Sequence, residues 1–132
     1  METKTRIFTA DANIDFCKML ERIMAAENDM ELVGNAADGV EALAMVAQLK
    51  PDILLLDLVL PKLDGLEVLR RLPETGAKPH VIVLSGFVNT KVVTACSSAG
   101  ADFFLPKPCD TPVLLNRIRQ LAGTDRPALP SG

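Results

Sequence analysis

Four polar residues of this 132-residue chain stand where short apolar runs stop. Asp11 follows Ile7–Ala10, Asp57 follows Ile53–Leu56, and Ser85 follows His80–Leu84. Lys107 comes just after Asp102–Leu105. Each has a plain reading taken alone. Asp57 can cap a turn, Asp11 can be the N-cap of a helix, Ser85 beside Gly86 is a common loop pairing, and Lys107 can simply be solvated. Their coincidence carries more. If the apolar runs are neighbouring strands of one sheet, two carboxylates, a hydroxyl and an ammonium converge at its carboxyl edge, where open α/β sheets bind ligands. A carboxylate pair there suits a hard cation such as Mg2+, which prefers oxygen and keeps several waters.

The rest of the chain supplies elements able to position this set. Asn13–Ala26 places Phe16, Met19, Leu20, Ile23 and Met24 at helical spacing. Met30–Ala36 reads as a second strand, ending in the neutral pair Ala36-Ala37. Asp38 with Glu41 three residues on reads as a capping box that opens a helix through Leu49, and Pro51 closes that unit. Ile53–Leu56 is apolar at every position, the mark of a central parallel strand buried on both faces. After a turn through Pro61 and Asp64-Gly65, Leu66, Leu69 and Leu72 predict a short helix. His80–Leu84 predicts a fourth strand, Thr90–Ala99 a fourth helix with Gly100 at C′, and Asp102–Leu105 a fifth strand. A last helix opens at Asp110-Thr-Pro112 and runs to about residue 122. Five strand–helix units imply an α/β fold, a parallel sheet wound on both faces. Residues 1–122 therefore read as one domain and 123–132, with Pro127 and Pro130, as a tail or the start of a linker.

Composition sets the outer bounds. The chain is 48% hydrophobic and 23% charged, ordinary values that exclude a wholly disordered or collagen-like chain. A net charge of −3 offers no basic field for nucleic acid. Cys17, Cys96 and Cys109 fit neither a disulfide framework nor a zinc knuckle, and point to a reducing, cytoplasmic setting. METKTRIF has no long apolar segment of a signal peptide, and no run is long enough to span a membrane.

The stretch Asp57-Leu-Val-Leu-Pro-Lys-Leu-Asp-Gly65, with Ser85 and Lys107-Pro108, resembles the signature of CheY-like receiver domains of two-component response regulators. The resemblance runs from about Lys4 to Ala122. Among receivers, Ala10-Asp11-Ala12-Asn13 and Leu63-Asp64-Gly65-Leu66 look most like those of the stage 0 sporulation transcription factors. The family implies a flavodoxin-like (βα)5 fold with strand order 2-1-3-4-5. It implies Asp57 as the acceptor of a phosphoryl group from a phosphohistidine of a histidine kinase or histidine phosphotransferase. Lys107 would pair with the phosphoryl group, and Ser85 would donate its hydroxyl to it. Phe104 would be the aromatic switch, with a core phenylalanine as its plainer reading. Asp11, Asp57 and the backbone carbonyl of Val59 would hold Mg2+, and the Lys107–Pro108 bond would be cis. Modification would bias a surface of helix 4, strand 5 and helix 5, through which a second copy or an output domain docks.

The sequence departs from the family after its first strand. Receivers carry two adjacent acids there, and here the pair is Asp11-Ala12. The missing acid is the one that usually ligates the metal directly, so weakened Mg2+ binding and slower transfer are expected. Asn13 is the neighbouring source of a neutral oxygen. Pro106 removes an N–H from strand five, tolerable on an edge strand. Cys109 replaces a frequent aromatic and reads as a small hydrophobe. His80 lies at the wrong end of its strand for a phosphoryl carrier.

Three rivals remain open. A pseudo-receiver would act by constitutive protein contacts; Ala12 favours it, while Asp57, Ser85 and Lys107 oppose it. A phosphatase of the haloacid-dehalogenase type wants a second Asp two residues after the first, where this chain has Val59. A flavodoxin-like cofactor binder wants a run of Gly, Ser and Thr after strand one and an aromatic to stack, and the chain has neither Trp nor Tyr.

Overall fold

The computed structural model describes residues 4–86 and 89–123. The expected tail, beyond Gly123, lies outside the described residues. Five strands, β1 (Thr5–Ala10), β2 (Met30–Ala36), β3 (Ile53–Asp57), β4 (His80–Ser85) and β5 (Phe103–Pro106), form one sheet of order β2-β1-β3-β4-β5. Every pairing is parallel. Helices α1 (Ile14–Ala25), α2 (Gly39–Leu49), α3 (Gly65–Arg71), α4 (Thr90–Ser98) and α5 (Thr111–Gly123) connect and follow them. A 3-10 turn over Leu72–Thr75 extends α3 and has no counterpart in the sequence reading. Helix α5 ends one residue beyond the expected limit.

Strand alternation divides the core into two layers. On β3, Ile53 and Leu55 join Ile7, Leu20, Met24, Leu114 and Ile118 under α1 and α5. Leu54 and Leu56 join Phe8, Val46, Val68, Leu69 and Cys96 under α2, α3 and α4. Because successive side chains point to opposite faces, an all-apolar β3 feeds both layers. Truncating a leucine in either layer to alanine costs about 2–5 kcal/mol.

Local signals set the helix starts. Asp38 accepts from the Glu41 N–H at 2.8 Å, and Glu41 Oε1 accepts from the Ala37 N–H at 3.0 Å, a capping box reaching one residue further back than the cap. The N-cap of α1 is Asn13, not Asp11: its Oδ1 accepts from the Phe16 N–H at 3.0 Å. Asp64 caps α3 in the same way. Strand β5 is an edge. The Lys107 N–H donates to the Ser85 carbonyl, so by alternation position 106 faces away from β4, and Pro106 removes an outward-facing donor.

Candidate functional site

At the carboxyl edge, β1 and β3 pair directly, with Ala10 beside Leu56. Asp11 and Asp57 therefore leave neighbouring strands together. Asp11 is 3% and Asp57 8% exposed. Each carboxylate is aimed by backbone. Asp11 Oδ1 accepts from the Asn13 N–H at 2.9 Å, and Asp57 Oδ1 accepts from the Val59 N–H at 3.1 Å. These are matched Asx turns, in which a carboxylate bonds its own chain two residues on. The remaining oxygens meet on one cation: Lys107 Nζ lies 2.7 Å from Asp11 Oδ2 and 3.3 Å from Asp57 Oδ2. Burial acts to lower the Lys107 pKa, but the hydrogen bond and charge of Asp11, then of Asp57, outweigh it and hold the ammonium above its ordinary range.

Ser85 completes the edge at the end of β4 and is fully buried. Its carbonyl binds the Lys107 N–H at 2.9 Å, which ties the lysine's backbone to β4. The Lys107–Pro108 peptide bond is cis. Phe104 is half-buried against the layer under α2, α3 and α4. Val59 projects its side chain outward, 72% exposed, on the loop after β3. Gly65 holds that loop in place: a Cβ there would lie 2.6 Å from the Leu58 Cα and inside contact distance of the Asp57 carbonyl oxygen. The Gly65 N–H donates to the Leu58 carbonyl at 2.9 Å.

The structure brings together Asp11, Asp57, Lys107 and Ser85. Asn13 Oδ1, the neutral oxygen considered for the site, accepts from the Phe16 N–H as the cap of α1. Among the described residues, no three of His, Cys, Asp and Glu form a metal-holding group. Two carboxylates converging on one cation position still match Mg2+, which takes one or two carboxylates and fills its shell with water. Position 12 offers only an exposed methyl. Sequence reasoning missed Phe16. Its ring centroid lies 4.4 Å from Lys107 Nζ. Helical periodicity marked Phe16 as apolar and gave no sign of that neighbour.

Other readings are settled outside the edge. His80 Nδ1 lies 3.4 Å from Asp102 Oδ2 at the opposite end of β4. Burial pushes the Cys109 thiol pKa up, which matches its reading as a small hydrophobe. No helix among the described residues is long and apolar enough to cross a membrane.

Residues 7–119 match the family described as the response regulator receiver domain. The chain belongs to that family. Solved receivers share its fold. The response regulator domain of Thermotoga maritima CheB is 29% identical, with a TM-score of 0.85 over 93% of this chain and 99% of that one. CheY in a CheX–CheY–BeF3–Mg2+ complex from Borrelia burgdorferi fits comparably: that chain is 28% identical, with a TM-score of 0.84 over 91% of this chain and 90% of its own length. The receiver of the NarL regulator from Mycobacterium tuberculosis, 24% identical with a TM-score of 0.87, adds support for the fold alone. Receivers are signalling modules rather than classical enzymes, which sets aside the phosphatase and cofactor-binder readings.

Proposed function

We propose that this receiver accepts a phosphoryl group on Asp57 from the phosphohistidine of a histidine kinase or histidine phosphotransferase. The observation that carries the reading is the meeting of Asp11 Oδ2 and Asp57 Oδ2 on Lys107 Nζ at the sheet's carboxyl edge. An Asp57 carboxylate oxygen attacks phosphorus in line. The P–N bond to the imidazole breaks, an acyl phosphate forms, and the imidazole leaves with the electron pair. Lys107 is already charged and moves from carboxylate to phosphoryl oxygen as a point charge. Ser85, one register step from Asp57 across β3 and β4, donates its hydroxyl to the new group. Asp11, Asp57 and the Val59 carbonyl would hold Mg2+, which would offset charge developing on the phosphoryl oxygens.

Helix α4, β5 and α5 then carry the signal, with Phe104 as the element that changes packing with Ser85. A second copy or an output domain docks there. The likeness of Ala10–Asn13 and Leu63–Leu66 to the stage 0 sporulation factors makes transcription control the favoured output. The receiver unit spans residues 1–122, with 123–132 as a tail or the start of a linker, in a cytoplasmic setting.

Ala12 favours one second reading, a receiver that signals without phosphate. Incubation with a small phosphodonor and Mg2+, followed by intact-mass measurement, separates the two. The expected result is a gain of one phosphoryl group that Asp57→Asn abolishes. No gain with Mg2+ or Mn2+ supports the phosphate-independent reading.

A further inference from the structure

Phe16 has a place in the site that no motif assigns. It lies in the first turn of α1, beneath the Asn13 cap, and its flank packs on the layer formed by Ile7, Leu20 and Leu114. Its ring face is turned to Lys107, with the ammonium 4.4 Å from the centroid. An aromatic face carries negative quadrupole density, and a cation within about 6 Å of the centroid is attracted to it. The ammonium is thus held by Asp11 Oδ2, Asp57 Oδ2 and the ring.

We propose that Phe16 is a positioning residue for Lys107, seating the ammonium between the two carboxylates through its ring face. The inference rests on the reading of Lys107 as the group that meets the phosphoryl oxygen. Lysine is a long, flexible side chain with three rotatable donors, so its placement must be imposed by neighbours. Position 12 supplies no second acid to impose it. A ring suits the task better than an extra anion. It attracts the ammonium without a full charge, so the lysine remains free to exchange a carboxylate for a phosphoryl oxygen. Because α1 carries the ring and the Asx turn at Asp11 leads directly into the α1 cap, one rigid segment sets both Asp11 and Lys107.

The test replaces Phe16 with Leu, with Trp, and with pentafluorophenylalanine, which keeps the ring's shape and reverses its quadrupole. Two readouts are taken. One is the rate of Asp57 phosphorylation by a small phosphodonor, resolved into maximal rate and half-saturating donor concentration. The other is the NMR order parameter of the Lys107 side chain in the unmodified protein, with thermal melts as the folding control. Leu and pentafluorophenylalanine are expected to lower the maximal rate about three- to tenfold and to loosen the lysine, while Trp preserves both. Wild-type rates and lysine order in the pentafluorophenylalanine protein would overturn the proposal. If no variant and no wild-type protein takes up phosphate, the phosphoacceptor reading fails. The order parameter then still decides the Phe16 inference.

Discussion

Replacing Lys107 with methionine probes the centre of the site directly. Methionine keeps most of the stem's volume and removes the charge. The ammonium sits 2.7 Å from Asp11 and 3.3 Å from Asp57, whose side chains are only 3% and 12% exposed. Removing one partner of a fully buried ion pair costs about 3–5 kcal/mol, because a charge is left without compensation. Here the lysine side chain is 18% exposed, so water screens part of the loss, and about 2–3 kcal/mol is expected. With an m-value of about 1.5 kcal/mol/M, the urea midpoint falls by roughly 1–2 M. Mg2+ at about thirtyfold above its dissociation constant is expected to return about 2 kcal/mol of that loss, since a divalent cation supplies the missing positive charge. The pH dependence has a definite sign. The folded-state lysine pKa is raised, so its contribution is fully present below the unfolded value near about 10.4 and is lost only as pH climbs through the higher folded value. On the lysine's account, the gap between the proteins is flat from neutral pH to about 9. Equal midpoints without metal, or a deficit that saturating Mg2+ leaves untouched, would refute the view that Lys107 is the internal counter-charge of the two acids.

Ala12→Asp is expected to raise Mg2+ affinity by about thirtyfold. A full charge roughly 4 Å from a divalent ion at an exposed position is worth about 2 kcal/mol in a water-like dielectric, and unchanged affinity by calorimetry would count against this. Calorimetry is the method of choice, because a chain without Trp or Tyr has no strong intrinsic fluorophore beside the site. Gly65→Ala forces a methyl against the backbone of Asp57 and Leu58, so it should cost about 1–3 kcal/mol and slow Asp57 phosphorylation, measured by urea melts and intact mass. Arg119 clamps Asp29 at 2.8 and 2.9 Å, and its hydrogen bonds hold the Asp29 pKa below the ordinary range. That support is present above about pH 4 and disappears as pH falls through the lowered value. The difference in melting temperature between wild type and Arg119→Gln should therefore close in strong acid; a difference persisting at pH 2 contradicts the assignment.

Most of the sheet was legible because β3 is apolar at every position and the polar residues that stop each run are unlike what surrounds them. Asp11, Asp57, Ser85 and Lys107 stood out for that reason. Asp38 and Glu41 announced α2 through cap chemistry that acts within five residues. What stayed hidden depends on distance in sequence. Phe16 and Lys107 are far apart along the chain, and the period of α1 reports only which face is apolar. Asp11 and Asn13 are equally good cap formers by type. Only the structure shows Asn13 on the helix and Asp11 bonded to the Asn13 N–H. The 3-10 turn at Leu72–Thr75 is too short to show a period.

Pro106 narrows how this molecule can assemble. Strand β5 is four residues long, and its outer rim lacks the N–H that a sixth strand would need at that position. The missing donor disfavours a second copy continuing the sheet across this rim into a longer ribbon. Pairing through this side then falls to side chains of α4 and α5 meeting like two gear faces. Such contacts respond to sub-ångström repacking in a way that a hydrogen-bonded ladder does not.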